Sequence, residues 1–157
     1  MTERRTSNGA ILDEVSKRII AELQIDGRRS YAAIGKAVGL SEAAVRQRVQ
    51  KLTDAGIIQI VAVTDPLELG FARQAMVGIC VDGDVFAVTD ALAAIPELDY
   101  LVITTGRFDV LAEIVCESDD DLLEVITSKV RAIPAVTNTE TFVYLRLRKQ
   151  TYAWGVQ

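Results

Sequence analysis

The sequence predicts an α+β protein in two parts, a helical N-terminal part followed by a duplicated strand–helix–strand part. Three observations predict it. Apolar residues recur at spacings of three and four from Leu12 to Leu52. After Pro66 and Gly70 the period changes to β-rich runs alternating with helices. The tripeptide Ala-Ile-Pro occurs at Ala94–Pro96 and again at Ala132–Pro134, each time ahead of a strand-like run. The expected parts are a head over 1–58, a linker strand over 59–72 and a second domain over 73–157.

The first helix is set by Leu12, Val15, Ile19 and Leu23, with Asp13 and Glu14 where the helix dipole favours anions, and it stops near Asp26-Gly27. A short second helix runs from Ser30, its cap, through Tyr31, Ile34 and Ala37 to Val38. Gly35 inside it costs about 1 kcal/mol against alanine, which signals close packing on a neighbour. Gly39 supplies the left-handed residue of a tight turn. The third helix, "LSEAAVRQRVQKLTDAGII", is capped by Ser41, stopped by Gly56 and buried through Val45, Val49 and Leu52.

Helix, glycine turn, helix is a helix-turn-helix. It explains why Arg46, Arg48 and Lys51 crowd one helix of a chain with formal net charge −5. Residues 1–64 hold 10 Lys and Arg against 7 Asp and Glu, net +3, whereas the remainder is net −8. Only the head suits a polyanion. With the apolar stripe buried, Glu42, Ala43, Arg46, Gln47 and Gln50 face outward beside Ser41, and Arg28, Arg29, Ser30 and Tyr31 lie near the DNA backbone. Arg46 suits guanine and the glutamines suit adenine. Arg48 flanks the buried stripe, and both an ion pair and a phosphate contact are open to it. "IIQIVAVTD" then reads as a strand, a wing or a linker.

In the second part the strands are 75–81, 98–105, 108–116 and 137–148, with helices over 84–95 and 118–133. The duplication gives βαββαβ, a ferredoxin-like domain. Asp119, Asp120 and Asp121 look like a metal site but fit the first turn of a helix capped by Ser118. Tyr152 and Trp154 suit a sheet edge or a subunit contact better than a ligand cage. "TTGRFD", Thr104 to Asp109, is a glycine-containing hairpin turn with a guanidinium beside a carboxylate.

Several functions are disfavoured. The chain has no histidine, which removes the commonest general base, haem ligand and zinc ligand together. Cys80 and Cys116 sit in apolar runs without CxxC spacing, so buried thiols are expected. No Ser or Cys has a base beside it, and Glu113 with Asp109 read as strand and turn positions, so no enzyme, cofactor or metal is expected. No run of eighteen apolar residues and no signal segment is present, which predicts a cytoplasmic protein without membrane contact.

The order of these elements, with "LDEVSKRIIAELQIDGRRSYAAIGKAVGLSEAAVRQRVQKLTDAGII" and "TTGRFDVL", resembles the Lrp/AsnC (feast/famine) family of transcriptional regulators from about Leu12 to Lys149. The resemblance implies double-stranded DNA as one partner, homodimers built through the second domain, and tetramers or octamers of these. It also implies an amino-acid effector bound between subunits near Thr105, Gly106, Arg107 and Asp109, beside a last strand carrying Thr139 and Thr141. In that picture the Gly106 backbone takes a carboxylate, Asp109 an ammonium, and the threonines add hydroxyls. Two positions depart from the family pattern: Ser16 stands at a common aspartate, and Arg107 at a usually acidic or other polar residue. Arg107 favours a small amino acid or related carboxylate with an acidic or polar side chain. The alternatives are an architectural DNA-binding protein without an effector and a small ferredoxin-like enzyme.

Overall fold

A computed structural model describes residues 12–151 and 155; Tyr152 and Trp154 lie outside the described residues. The described residues form two compact units, 12–62 with 149–151 and 155, and Val63–Arg148.

The first unit holds α1 (Glu14–Ile25), α2 (Tyr31–Val38) and α3 (Glu42–Asp54). Each starts on a side chain that accepts an orphan amide: Asp13 from Ser16 at 2.7 Å, Ser30 from Ala33 and Ser41 from Ala44 at 3.2 Å. Ile19, Ile34, Val38, Val45 and Val49 form the core, and Leu52 is also fully buried. Burying each such side chain contributes about 1.5–3 kcal/mol. The turn is pinned from both sides: the Gly39 and Leu40 amides donate to the Gly35 carbonyl, each at 2.9 Å, and Gly39 is left-handed at φ 77°. A Cβ on Gly35 would stand 2.5 Å from the Leu40 carbonyl oxygen, which is the close packing its place in a helix signalled.

The expected linker strand is absent. Residues 58–65 pair with no strand among the described residues, and Ile60, Val61 and Val63 are at least half exposed. An alternating apolar pattern becomes a strand only where a neighbour takes up its backbone groups. A 3₁₀ turn follows over Pro66–Leu69, capped by Asp65.

In the second unit β1 (Arg73–Val81), β2 (Leu98–Ile103), β3 (Val110–Cys116) and β4 (Val136–Val143) form one antiparallel sheet in the order β2-β3-β1-β4. The helices are α4 (Val85–Ala93) and α5 (Asp119–Glu124), the latter widening into a π-helical turn over Val125–Val130 where an unbroken α-helix was expected. This is the ferredoxin-like βαββαβ order.

Ala75, Val77 and Ile79 of β1 and Val110, Ala112, Ile114 and Cys116 of β3 alternate onto one face, against Val88, Leu92, Leu122, Val125 and Val130. The other face carries Met76, Gly78, Tyr100, Leu111, Glu113 and Phe142, and the helices of this unit pack on the opposite side. Tyr100 and Phe142 are 52% and 45% exposed there. β4 ends at Val143, short of the expected 148, because its ladder partner runs out: Val143 pairs with Ala75, and the Tyr144 amide donates to Gln74 near the start of β1.

The acidic triplet behaves as a helix start. Ser118 caps α5 and donates to Asp121 at 2.6 Å, while Asp119 is held by Arg73, which lowers the carboxyl pKa and raises that of the guanidinium. No metal-binding cluster of His, Cys, Asp or Glu occurs among the described residues. Cys116 is buried as expected, with burial raising its pKa, whereas Cys80 is only half-buried on the open sheet face.

Candidate functional site

Two places gather the residues singled out by the sequence. On the head, Glu42, Ala43, Arg46, Gln47 and Gln50 are all exposed along α3, with Ser41 at its start. Arg46 Cζ stands 5.2 Å from the centroid of the Tyr31 ring, so α2 supplies a stacking platform for the α3 guanidinium. The same guanidinium donates to Glu42 at 2.8 Å, and Gln50 donates to Asp54 at 2.7 Å. Ser30 and Ser41 spend their hydroxyls as caps. Arg28 is exposed, and its amide is held by Asp26 at 2.9 Å. Arg29 is ion-paired with Glu22, one helix back.

Of the two roles open to Arg48, the ion pair is formed. Its guanidinium reaches both oxygens of Asp13, at 2.9 and 2.8 Å, and the buried Ser16 hydroxyl at 3.1 Å, tying α3 to the start of α1. The Asp13 carboxyl is lowered to about 2, first by the Ser16 amide and then by Arg48. Sequence reasoning gave Asp13 only a dipole role. The Ser16 hydroxyl is thus a third acceptor for the Arg48 guanidinium.

The second place is the β2–β3 turn. The Thr104 amide donates to the Asp109 carbonyl at 2.8 Å, closing a hairpin around Thr105, Gly106, Arg107 and Phe108. Space above Gly106 is open: nothing lies within 4 Å of where a Cβ would be. Among the described residues the amides of Thr105, Gly106 and Arg107 find no acceptor within the chain. Asp109 is already engaged, one oxygen accepting from the Val81 amide at 2.8 Å. Arg107 pairs with Glu140 at 2.9 Å and lies 5.4 Å from the Phe108 ring centroid.

Within one chain the turn and the two threonines lie on different faces of the sheet. Thr139 and Thr141 sit opposite Ile79 and Val77, whose side chains face the helices, whereas Glu140, the partner of Arg107, sits opposite Gly78 on the open face. The threonines do share a face, but the wrong one for Arg107.

Gly78 was missed as well. The Phe108 ring lies so close that a Cβ there would be 2.5–2.7 Å from three ring carbons, and Phe108 meets Phe142 edge-on at 6.1 Å. A glycine inside a strand was the available signal for such an approach. Beside this pair, Gln74 donates to Glu113 at 2.9 Å, and Tyr144 is pushed up to about 12 by burial and by Glu113.

A capped, cation-bearing helix on a three-helix head, joined in one chain to an antiparallel α+β unit, defines a helix-turn-helix DNA-binding protein. Residues 12–53 match an AsnC-type helix-turn-helix domain, and residues 71–157 match an AsnC-type C-terminal dimeric alpha+beta barrel domain. An uncharacterized HTH-type transcriptional regulator of Pyrococcus furiosus is 36% identical, covering 91% of this chain and 98% of its own. Regulatory protein AsnC of Escherichia coli is 27% identical over 87% of this chain and 91% of its own. The solved structure of Escherichia coli AsnC superposes with a TM-score of 0.78 at 26% identity, over 90% of this chain and 97% of that one. A transcriptional regulator of Neisseria meningitidis, solved as a complex with L-Met, shares the fold at a TM-score of 0.75 and 22% identity, over 89% and 94% of the two chains. The chain belongs to the Lrp/AsnC family of transcriptional regulators, a non-enzymatic family. No helix among the described residues is long and apolar enough to cross a membrane.

Proposed function

We propose that this chain is a cytoplasmic, sequence-specific DNA-binding regulator that works as an even-numbered assembly and responds to a small amino-acid-type effector. The observation that carries the DNA reading is Arg46 stacked on Tyr31 above the exposed face of α3. One such helix neutralises few phosphates, so specific binding needs two heads, about 34 Å or a multiple apart on a near-palindrome. The uncovered sheet face with Tyr100 and Phe142 supports self-association through the second unit. The matched relatives include a regulator solved with L-Met, which supports an amino acid as the effector class.

The turn favours that reading through its backbone. The amides of Thr105, Gly106 and Arg107 and the open space at Gly106 suit a carboxylate. The second Asp109 oxygen is left to take an ammonium. Arg107 serves only a ligand that competes with Glu140, and Thr139 and Thr141 only one that reaches the edge of β4 from the helix side.

Thermal shift of the full chain against the twenty amino acids tests this. A ligand at one hundred times its Kd stabilises by about 2.7 kcal/mol. Binding lost in Asp109→Ala places the ligand at the turn. No shift with any of the twenty supports an architectural role without such an effector.

A further inference from the structure

Glu42 is the first residue of α3, and its carboxylate lies on the face that a recognition helix turns to the groove. A carboxylate there opposes the phosphates that hold any protein to DNA. In the first turn of α3 it complements the helix dipole, but its pair with Arg46 adds little stability, since the Glu42 and Arg46 side chains are 53% and 65% exposed.

Its place shows another use. Glu42 holds the Arg46 guanidinium from along the helix at 2.8 Å, and the Tyr31 ring holds it from beneath at 5.2 Å. An unrestrained arginine bonds any phosphate within reach. A held one is released only where the new contact exceeds the carboxylate it gives up. The paired acceptors O6 and N7 of guanine meet that condition, because both prongs of the fork are satisfied in a groove that excludes water. A phosphate can take the fork as well, but one at the groove's rim stays hydrated and is repelled by the Glu42 carboxylate beside the guanidinium, so it displaces that carboxylate less readily. We infer that Glu42 is a specificity-determining residue, which withholds Arg46 from non-specific phosphate contact and so widens the gap between preferred and random DNA. The inference rests on the reading of α3 as the recognition helix.

The test uses the full chain, with a preferred duplex selected from randomised DNA and a random duplex of equal length. Glu42→Gln, which keeps the Ser41 cap, should steepen the salt slope on random DNA by about one. It should tighten random DNA more than the preferred site, so that their affinity ratio falls about three- to tenfold. In an Arg46→Ala background the same substitution should leave the ratio unchanged. A ratio unaltered in the wild-type background overturns the inference. So does an equal fall in the Arg46→Ala background, because bare charge repulsion would then account for it. If Arg46→Ala weakens both duplexes alike, the recognition-helix reading itself fails; if it discriminates and Glu42→Gln does not, only the role of Glu42 fails.

Discussion

Replacing Gly35 with alanine sets two effects of opposite sign against each other. Helix propensity alone predicts a gain of about 1 kcal/mol, since glycine in a helix interior is the less favourable residue. The structure predicts a loss. The new Cβ would sit 2.5 Å from the Leu40 carbonyl oxygen, closer than real Cβ contacts come, and the obstacle is backbone rather than a flexible side chain. That backbone cannot yield freely, because the Gly39 and Leu40 amides are both bonded to the Gly35 carbonyl. Overpacking of this kind costs about 1–3 kcal/mol, so after the propensity gain Gly35→Ala should lose up to about 2 kcal/mol. For a unit of roughly sixty residues that is a fall of up to about 16 °C in Tm. The relief available is a shift of the turn, which moves Ser41 and the start of α3, so affinity for the preferred duplex should fall as well. Amide exchange of α2 and α3 in the full chain reads the local stability, and a binding titration reads the displacement. A variant more stable by about 1 kcal/mol with unchanged DNA binding would refute the reasoning.

Arg46→Ala should cost about 1–3 kcal/mol on the preferred duplex and far less on random DNA, whereas Arg29→Ala should weaken both, which parallel titrations compare. Asp13 is depressed in the folded head, so the stability it contributes is complete above its unfolded value of 3.8 and is lost as pH falls through about 2. Acid unfolding of α1 and α3 should therefore flatten across that window in Asp13→Asn. Gly78→Ala should push the Phe108 ring off the sheet, read as loss of its NMR contacts to Phe142 and a changed response to whichever amino acid binds.

The head was legible because its signals are local. Caps at Ser30 and Ser41, the buried spacing of Val45, Val49 and Leu52, and Gly39 in the turn all act within a few residues of where they are read. The sheet was legible in order but not in extent. Where β4 stops is decided by where β1 starts, and whether residues 58–65 become a strand depends on a partner that the run itself does not contain. The face taken by Thr139 and Thr141 likewise follows from their opposition to Ile79 and Val77, not from their own spacing.

The remaining gap has one physical source at both sites. A sequence shows Arg46, Gln50, Arg107 and Asp109 as hydrogen-bonding groups available to a ligand; the folded chain shows each already partnered, by Glu42, Asp54, Glu140 and the Val81 amide. Pairing is a property of distance, and residue types do not report it. It changes what binding measures, because a ligand then gains only the difference between its own contact and the one it replaces. That difference is small for a single weak acceptor and larger where two contacts are replaced by a matched pair. On α3 this favours a guanine edge over a lone phosphate. At the turn it favours a ligand whose carboxylate takes the free amides near Gly106 over one that must first break Arg107 from Glu140.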